Sequence, residues 1–196
     1  VAVNGSGRAP AAATPEWYLD NGFTGIPLYS PHAVTVPGAV DAWAQLLSDH
    51  GTKGFAELLQ PAIDYAEQGY VVHGRIAQAW SANAEKLTKD PTSAKVFLPG
   101  GKVPAEGDVH RQEMLAETMR AIAKNGRDGF YTGAVAEDMV TYLNSLGGLH
   151  TLDDFETHTT EYMTPIKGSY RGLDIYQVPP NNPGITALLM LHILEG

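Results

Sequence analysis

The stretch Phe55-Ala56-Glu57-Leu58-Leu59-Gln60-Pro61-Ala62-Ile63-Asp64-Tyr65-Ala66-Glu67-Gln68-Gly69 decides the fold class. Phe55, Leu58, Leu59, Ala62, Ile63 and Ala66 recur at the spacing that gathers side chains on one face of an α-helix. Gly69 supplies the stop. Pro61 lies inside the stripe, and its missing N–H predicts a helix start or a kink there. Four more patterns of this period surround it. Residues 39–49 gather Val40, Trp43 and Leu47, and residues 75–88 gather Ile76, Trp80 and Leu87. Residues 112–124 gather Leu115, Met119 and Ile122, and residues 133–146 gather Val135, Met139, Tyr142 and Leu143. Residues 89–107 read as a polar excursion punctuated by Pro and Gly.

The ends have a different character. Residues 1–3 read as the end of a strand, and Asn4-Gly5-Ser6-Gly7 as a turn. Within residues 11–20 a short helix is expected, with Thr14 as N-cap and Pro15 at the first helical position. Residues 21–37 read as loop, except that Val34-Thr35-Val36 suggests a short strand ended by Pro37. Thr151-Leu152-Asp153-Asp154 is close to a capping box. Residues 161–169 and 173–178 look extended, with Tyr170-Arg171-Gly172 as the turn between them. Pro179-Pro180-Asn181-Asn182-Pro183-Gly184 breaks the chain before a mostly apolar helix over 185–194. The expectation is an α+β protein with a helical middle region, 39–150, flanked by strand-forming ends, 1–38 and 151–196.

Composition excludes several classes. The 196 residues carry a formal charge of −9, which argues against nucleic acid as a partner. No apolar run approaches the roughly 20 residues of a membrane helix. With no cysteine, disulfides, thiolate nucleophiles and Cys-based metal sites are out. The chain starts at Val1 and stops at Glu195-Gly196, directly after an apolar helical pattern. It is expected to be an internal piece of a longer protein, or one product of cleavage, so its compartment stays open.

Few residues carry chemistry on their own. Seven His, at 32, 50, 73, 110, 150, 158 and 192, show no pair at the i, i+4 spacing of a helical metal site, so no metal is expected. In Asn4-Gly5-Ser6-Gly7-Arg8-Ala9-Pro10 a Gly-rich turn can project Arg8 from a fixed backbone. Arg grips a carboxylate through two parallel hydrogen bonds. The plain alternative is an ion pair between Arg8 and a surface Asp or Glu. The Gly-x-Gly lacks the third Gly and the Lys-Ser or Lys-Thr of a phosphate loop. Thr157-His158-Thr159-Thr160 sets hydroxyls beside an imidazole, but neighbours on an extended segment point to opposite faces, so these read as strand threonines. Asp153-Asp154 and Glu106 with Asp108 read as caps and solvated surface, and Trp17, Trp43 and Trp80 as core or interface filling.

Taken in order, further segments carry a resemblance. They are Gly7-Arg8-Ala9-Pro10, Val34-Thr35-Val36-Pro37-Gly38-Ala39-Val40, Leu58-Leu59-Gln60-Pro61-Ala62-Ile63 and Ala66-Glu67-Gln68-Gly69-Tyr70. Gly107-Asp108 ahead of Leu115-Ala116, Gly129-Phe130-Tyr131-Thr132-Gly133, and Gly147-Gly148 with Asp153-Asp154 follow. Thr164-Pro165 with Tyr170-Arg171-Gly172, and Pro179-Pro180 leading to Ile193-Leu194-Glu195, complete the set. Their order and spacing resemble the large-subunit region of γ-glutamyltransferases, members of the N-terminal-nucleophile hydrolases. The resemblance implies a four-layer αββα sandwich and a precursor that cuts itself into a large and a small subunit. It implies a nucleophilic Thr at the start of the small subunit, outside this chain, whose own α-amine serves as base. It implies a γ-glutamyl amide such as glutathione as substrate, no cofactor, and Arg8 as the residue that binds the α-carboxylate. No catalytic residue is expected within residues 1–196.

Two loops depart from the best-known transpeptidases. Asn4-Gly5-Ser6-Gly7-Arg8 replaces their Asp-x-Arg-Glu form, and Pro179-Pro180-Asn181-Asn182-Pro183-Gly184 replaces their Ser-Ser-Gly-Gly run. Both resemble a branch that includes related amidases and acylases. Three readings therefore stand: a γ-glutamyl amidohydrolase or acyltransferase, an acylase for another small carboxylate-bearing amide, and a non-catalytic helical interaction fragment.

Overall fold

The computed structural model describes residues 1–196. In chain order the elements are β1 (Ala2–Asn4), α1 (Pro15–Asp20), α2 (Ala39–His50), α3 (Phe55–Gln68), β2 (Tyr70–Val71), α4 (Gly74–Leu87), α5 (Pro91–Phe97), β3 (Val109–His110) and α6 (Glu113–Asn125). Then come α7 (Asp128–Tyr131), α8 (Gly133–Ser145), α9 (Leu152–Glu156), β4 (Glu161–Met163), β5 (Ile166–Tyr170), β6 (Leu173–Gln177) and α10 (Gly184–Glu195). The mixture is α+β, as expected. Contacts divide the chain into two compact units, residues 1–52 with 130–196, and residues 53–129.

In the unit of residues 53–129, α3 packs on α6 through Ile63, Ala66 and Ala116, with Leu59, Met119 and Ala123 against them. The α3 face is the expected one in part, through Leu59, Ile63 and Ala66, but Leu58 is exposed; on α6 Met119 packs as expected, while Ala116 and Ala123 take the seam and Leu115 is exposed. The helix α3 runs unbroken past Pro61. A mid-helix Pro costs about 3 kcal/mol. Burying Ile63 and its neighbours offsets a cost of that size, at about 1.5–3 kcal/mol per large side chain. The excursion over 89–107 contains a helix that the sequence reading passes over. Asp90 caps α5 by accepting the Ser93 N–H at 2.6 Å, and Pro91 begins it. A second omission is the two-residue ladder β2–β3, with Tyr70 opposite His110. His110 is buried there, with the Trp80 ring centroid 4.7 Å from its own.

In the unit of residues 1–52 and 130–196, β1 pairs antiparallel with β4, setting Asn4 opposite Glu161. A second antiparallel pair, β5–β6, turns at Arg171 (φ 49°) and Gly172 (φ 78°). Two successive positive φ values are what a type I′ hairpin turn requires. Leu188 of α10 packs over Gly168 of β5.

The expected strand at Val34-Thr35-Val36 does not form. Val36 makes one bond outward, its N–H donating to the Arg8 carbonyl at 3.0 Å, and Pro37 has no N–H to continue a ladder. What replaces the strand is a close backbone crossing. A Cβ on residue 7 would lie 1.4 Å from the Val36 carbonyl oxygen, and one on residue 38 would lie 2.0 Å from the Gly5 carbonyl oxygen. Only glycine fits at these two places.

Buried polar groups hold the crossing. The Tyr131 hydroxyl donates to the Pro37 carbonyl at 2.6 Å and accepts the Asp41 N–H at 3.1 Å. The Asp41 carboxylate accepts the Thr160 N–H at 2.6 Å. The His158 ring lies nearly parallel to Tyr131, with centroids 5.6 Å apart. The capping box forms: Thr151 Oγ1 accepts the Asp154 N–H, and the Asp154 carboxylate accepts the Thr151 N–H. Asp154 also accepts the Ala11 N–H at 2.8 Å. His150 is buried, and its Nε2 donates to the Val34 carbonyl at 3.0 Å.

Two predictions follow from this packing. Gly7→Ala should lower stability by about 1–3 kcal/mol, read as a lower urea midpoint. Gly25→Ala should leave the midpoint in place, because a carbon added there meets nothing within 4 Å. Equal midpoints for the two variants would remove the backbone crossing from this account.

The second concerns pH. Burial pushes the His150 imidazole below its ordinary value, against the pull of the Val34 carbonyl and the Asp154 carboxylate. Burial lowers His110 as well. A depressed His binds its proton more readily in the unfolded chain. Its stabilising contribution is therefore complete above about pH 6.5 and lost as pH falls from there. For Asp154, burial acts upward, but the donors from Ala11 and Thr151 prevail and hold the carboxyl below the usual range. Its contribution is complete above about pH 3.9 and lost as pH falls through the folded value. Urea midpoints should decline in two stages, below about pH 6.5 and below about pH 4. His150→Asn should shrink the first stage. A flat profile from neutral pH down to the carboxylate range would contradict a neutral, buried His150.

Candidate functional site

Arg8 stands on a backbone pinned on both sides. Before it, the Asn4 side chain accepts the Ser6 N–H at 3.0 Å, and Gly7 presses against Val36. At Arg8 itself the carbonyl accepts the Val36 N–H. After it, the Ala11 N–H is held by Asp154. The side chain is exposed where the backbone is held: 76% of it is open to solvent. One guanidinium nitrogen lies 2.5 Å from Oε1 of Glu161, whose side chain is 51% exposed. An exposed ion pair of this kind contributes about 0.2–1 kcal/mol. A carboxylate that engages the guanidinium fork in two parallel bonds can therefore compete with it or share it.

Beside Arg8 lies a cleft of about 240 Å³ bounded by Ala11, Val36, Asp154, Thr157 and His158. Asp154 is occupied by its donors from Ala11 and Thr151, so it closes the wall without offering an open carboxylate.

The other sequence candidates have holding roles. Thr157 Oγ1 donates to the Asp153 carbonyl at 2.6 Å and closes α9. His158 packs on Tyr131, and the Thr160 N–H goes to Asp41. Asp108 accepts the Ala105 N–H in a local turn, and the Glu106 carboxylate sits over Gly74. Trp80 packs on His110, whereas Trp43 is 46% exposed. No group of three or more His, Asp or Glu converges to hold a metal ion, and no helix is long and apolar enough to cross a membrane.

The partner of Arg8, Glu161, lies 153 positions away in the sequence, and that distance hides the ion pair from a reading of neighbours.

The comparisons with known proteins agree with one another. The family model described as gamma-glutamyltranspeptidase matches residues 1–196. The glutathione hydrolase-like YwrD proenzyme of Bacillus subtilis (strain 168) is 40% identical over 194 residues, which is 98% of this chain and 37% of that protein. The crystal structure of γ-glutamyltranspeptidase from Helicobacter pylori superposes with a TM-score of 0.89 at 33% identity, covering 98% of this chain and 57% of that one. The cephalosporin acylase structure from Bacillus halodurans gives a TM-score of 0.92 at 36% identity, over 99% of this chain and 38% of that one. The chain spans about a third of the length of the curated relatives it matches. With a full-length family match and relatives at this identity, the chain belongs to the γ-glutamyltranspeptidase family.

Proposed function

We propose that this chain is the large-subunit portion of an enzyme that cleaves γ-glutamyl amides, with Arg8 binding the α-carboxylate of the γ-glutamyl group. The observation that carries the reading is Arg8 itself, a solvent-open guanidinium on a backbone fixed at Gly7, Val36 and Ala11. Such an anchor sets where a bound carboxylate sits, and so where the γ-carbonyl lies.

The reacting hydroxyl belongs to a Thr at the start of a small subunit, outside residues 1–196. Its oxygen bonds to the γ-carbonyl carbon while its α-amine takes the proton. The C–N bond then breaks, and the proton leaves on the departing amine. Water or an amino acid resolves the ester. Support for a two-part assembly comes from the proenzyme name of the relative and from α10. Ile193 and Leu194 of that helix are 78% and 67% exposed, and Leu189 and Met190 are each 59% exposed. A helix apolar all round belongs in an interior, and a further layer of the sandwich would cover it. The likeness to an acylase favours a second reading, in which Arg8 holds the carboxylate of another small amide.

Intact mass and N-terminal sequencing of the native protein should reveal a companion chain beginning with Thr. In that assembly Arg8→Lys keeps the charge and loses the planar fork. It should lower kcat/KM for a γ-glutamyl amide by roughly 10–100-fold, as the loss of a charged hydrogen bond does, with little change in thermal midpoint. Unchanged preference for γ-glutamyl over simple amides would remove Arg8 from the role.

A further inference from the structure

We propose that the unit of residues 53–129 carries a ligand site of its own, independent of Arg8. It is the cavity between α5 and the first turn of α6, and it takes a small carboxylate with an apolar body, such as an arylacetate.

Shape comes first. The cavity holds about 590 Å³, the size of a small-molecule site, against about 240 Å³ for the cleft beside Arg8. Its wall residues all lie within 95–115, so it belongs to one compact unit. Val96 and Phe97 of α5, Pro99, and Met114 and Leu115 of α6 give it an apolar face. Met114 and Leu115 are exposed there, because Ala116 and Met119 fill the seam with α3 and these two take no part in it. His110 is a further wall residue. Its ring lies 13° from the plane of Phe97, with centroids 6.3 Å apart, and 4.7 Å from Trp80, so the surroundings suit an aryl group. The His110 Nε2 is buried and has no hydrogen-bond partner. Burial pushes its pKa down. At neutral pH the ring is therefore uncharged and, with the proton on Nε2, a donor without an acceptor.

Charge comes second. Lys95 and Arg111 border the cavity, and neither makes an ion pair. Glu113 is the one acid in the wall, so the charged side chains there carry a net positive charge in a chain of formal charge −9. The backbone adds to this. No side chain caps α6 at Gln112, and the Ala116 N–H is the first to reach a carbonyl of the helix, that of Gln112 at 3.1 Å. The N–H groups of Glu113, Met114 and Leu115 meet no helix carbonyl, and such a helix start favours an anion. A cationic ligand would face two like charges, and a neutral one would leave both without a counterpart.

The test uses the mature, assembled protein with isotope-labelled methionine methyl groups, the Met114 signal being assigned through Met114→Leu. Phenylacetate should shift that signal saturably, with a dissociation constant below about 1 mM. Phenethyl alcohol and phenethylammonium should bind roughly 10-fold more weakly or less. Replacing Lys95 and Arg111 together by Gln should weaken phenylacetate roughly 10-fold, and Glu113→Gln should strengthen it severalfold. All three side chains are exposed, so thermal midpoints should stay in place. Arg8→Lys should leave the binding unchanged. A Met114 signal that does not move, as when another part of the assembled protein fills the cavity, would overturn the proposal. Equal binding of the three probes, or of phenylacetate to wild type and the double variant, would overturn it by showing no preference for charge. Loss of the shift in Arg8→Lys would assign the probe to the other unit and overturn it as well.

Discussion

The constraint on which the site depends is a place where two backbones touch with no side chain between them. The Val36 carbonyl occupies the space that a Cβ on residue 7 would need, and the Gly5 carbonyl does the same at residue 38. Interiors are packed densely enough that a single added carbon there displaces main chain, which has nowhere to relax. The Gly-rich run before Arg8 is thus a packing device. It brings the loop close enough for the Arg8 carbonyl to receive the Val36 N–H. A long, flexible side chain gains precision from that, because its starting point no longer moves.

Around the crossing, polar groups are buried and made to serve the backbone. Tyr131 is fully buried, and its hydroxyl satisfies Pro37 and Asp41 together. Asp41 is buried and reaches Thr160, 119 positions away. Buried polar atoms without partners cost about 1–3 kcal/mol each, so a network of this kind is specific or it is not formed. It joins residues near both chain ends into one unit, residues 1–52 with 130–196, although 77 residues, 53–129, intervene as a unit of their own. Contacts of such long sequence separation close large loops, an entropy cost that short-range helix contacts do not carry.

This division between local and distant explains what the sequence reveals. The helix α3 is legible because its stripe and its stop are written in adjacent residues, but it runs as one helix over Phe55–Gln68, with no new start at Pro61. The same holds for Thr14 with Pro15, where Thr14 Oγ1 accepts the Trp17 N–H, and for the capping box at Thr151 and Asp154. The hairpin turn at Arg171 and Gly172 is local too. The ladder β2–β3 has two residues per strand, too few for alternation to show. For α5, the Asp90-Pro91 start was present but outweighed by the Gly and Pro that follow. Val34-Thr35-Val36 has β-branched residues, yet its neighbour across the gap is a glycine loop and not a strand. Of the candidate site, Arg8 is singled out by the family resemblance, whereas its contact with Glu161 depends on the register that sets Glu161 opposite Asn4.

Exposure sets how easily the Arg8–Glu161 contact opens. Breaking a buried ion pair by removing one partner costs about 3–5 kcal/mol, since the other charge is left in a low dielectric. A ligand would have to supply that before gaining anything. With side chains 76% and 51% exposed, either charge can be rehydrated as it moves, and the pair can open or be shared with little loss. Salt screens the same contact, so long-range attraction of a charged ligand should weaken within a Debye length of about 8 Å at physiological ionic strength. What survives screening is short-range, set by the directions of the fork and of the carboxylate. Those directions are inherited from the glycine crossing on one side and from the β1–β4 register on the other. The rigid backbone and the solvent-open side chains together give precise placement of the two charges without the desolvation cost of a buried pair.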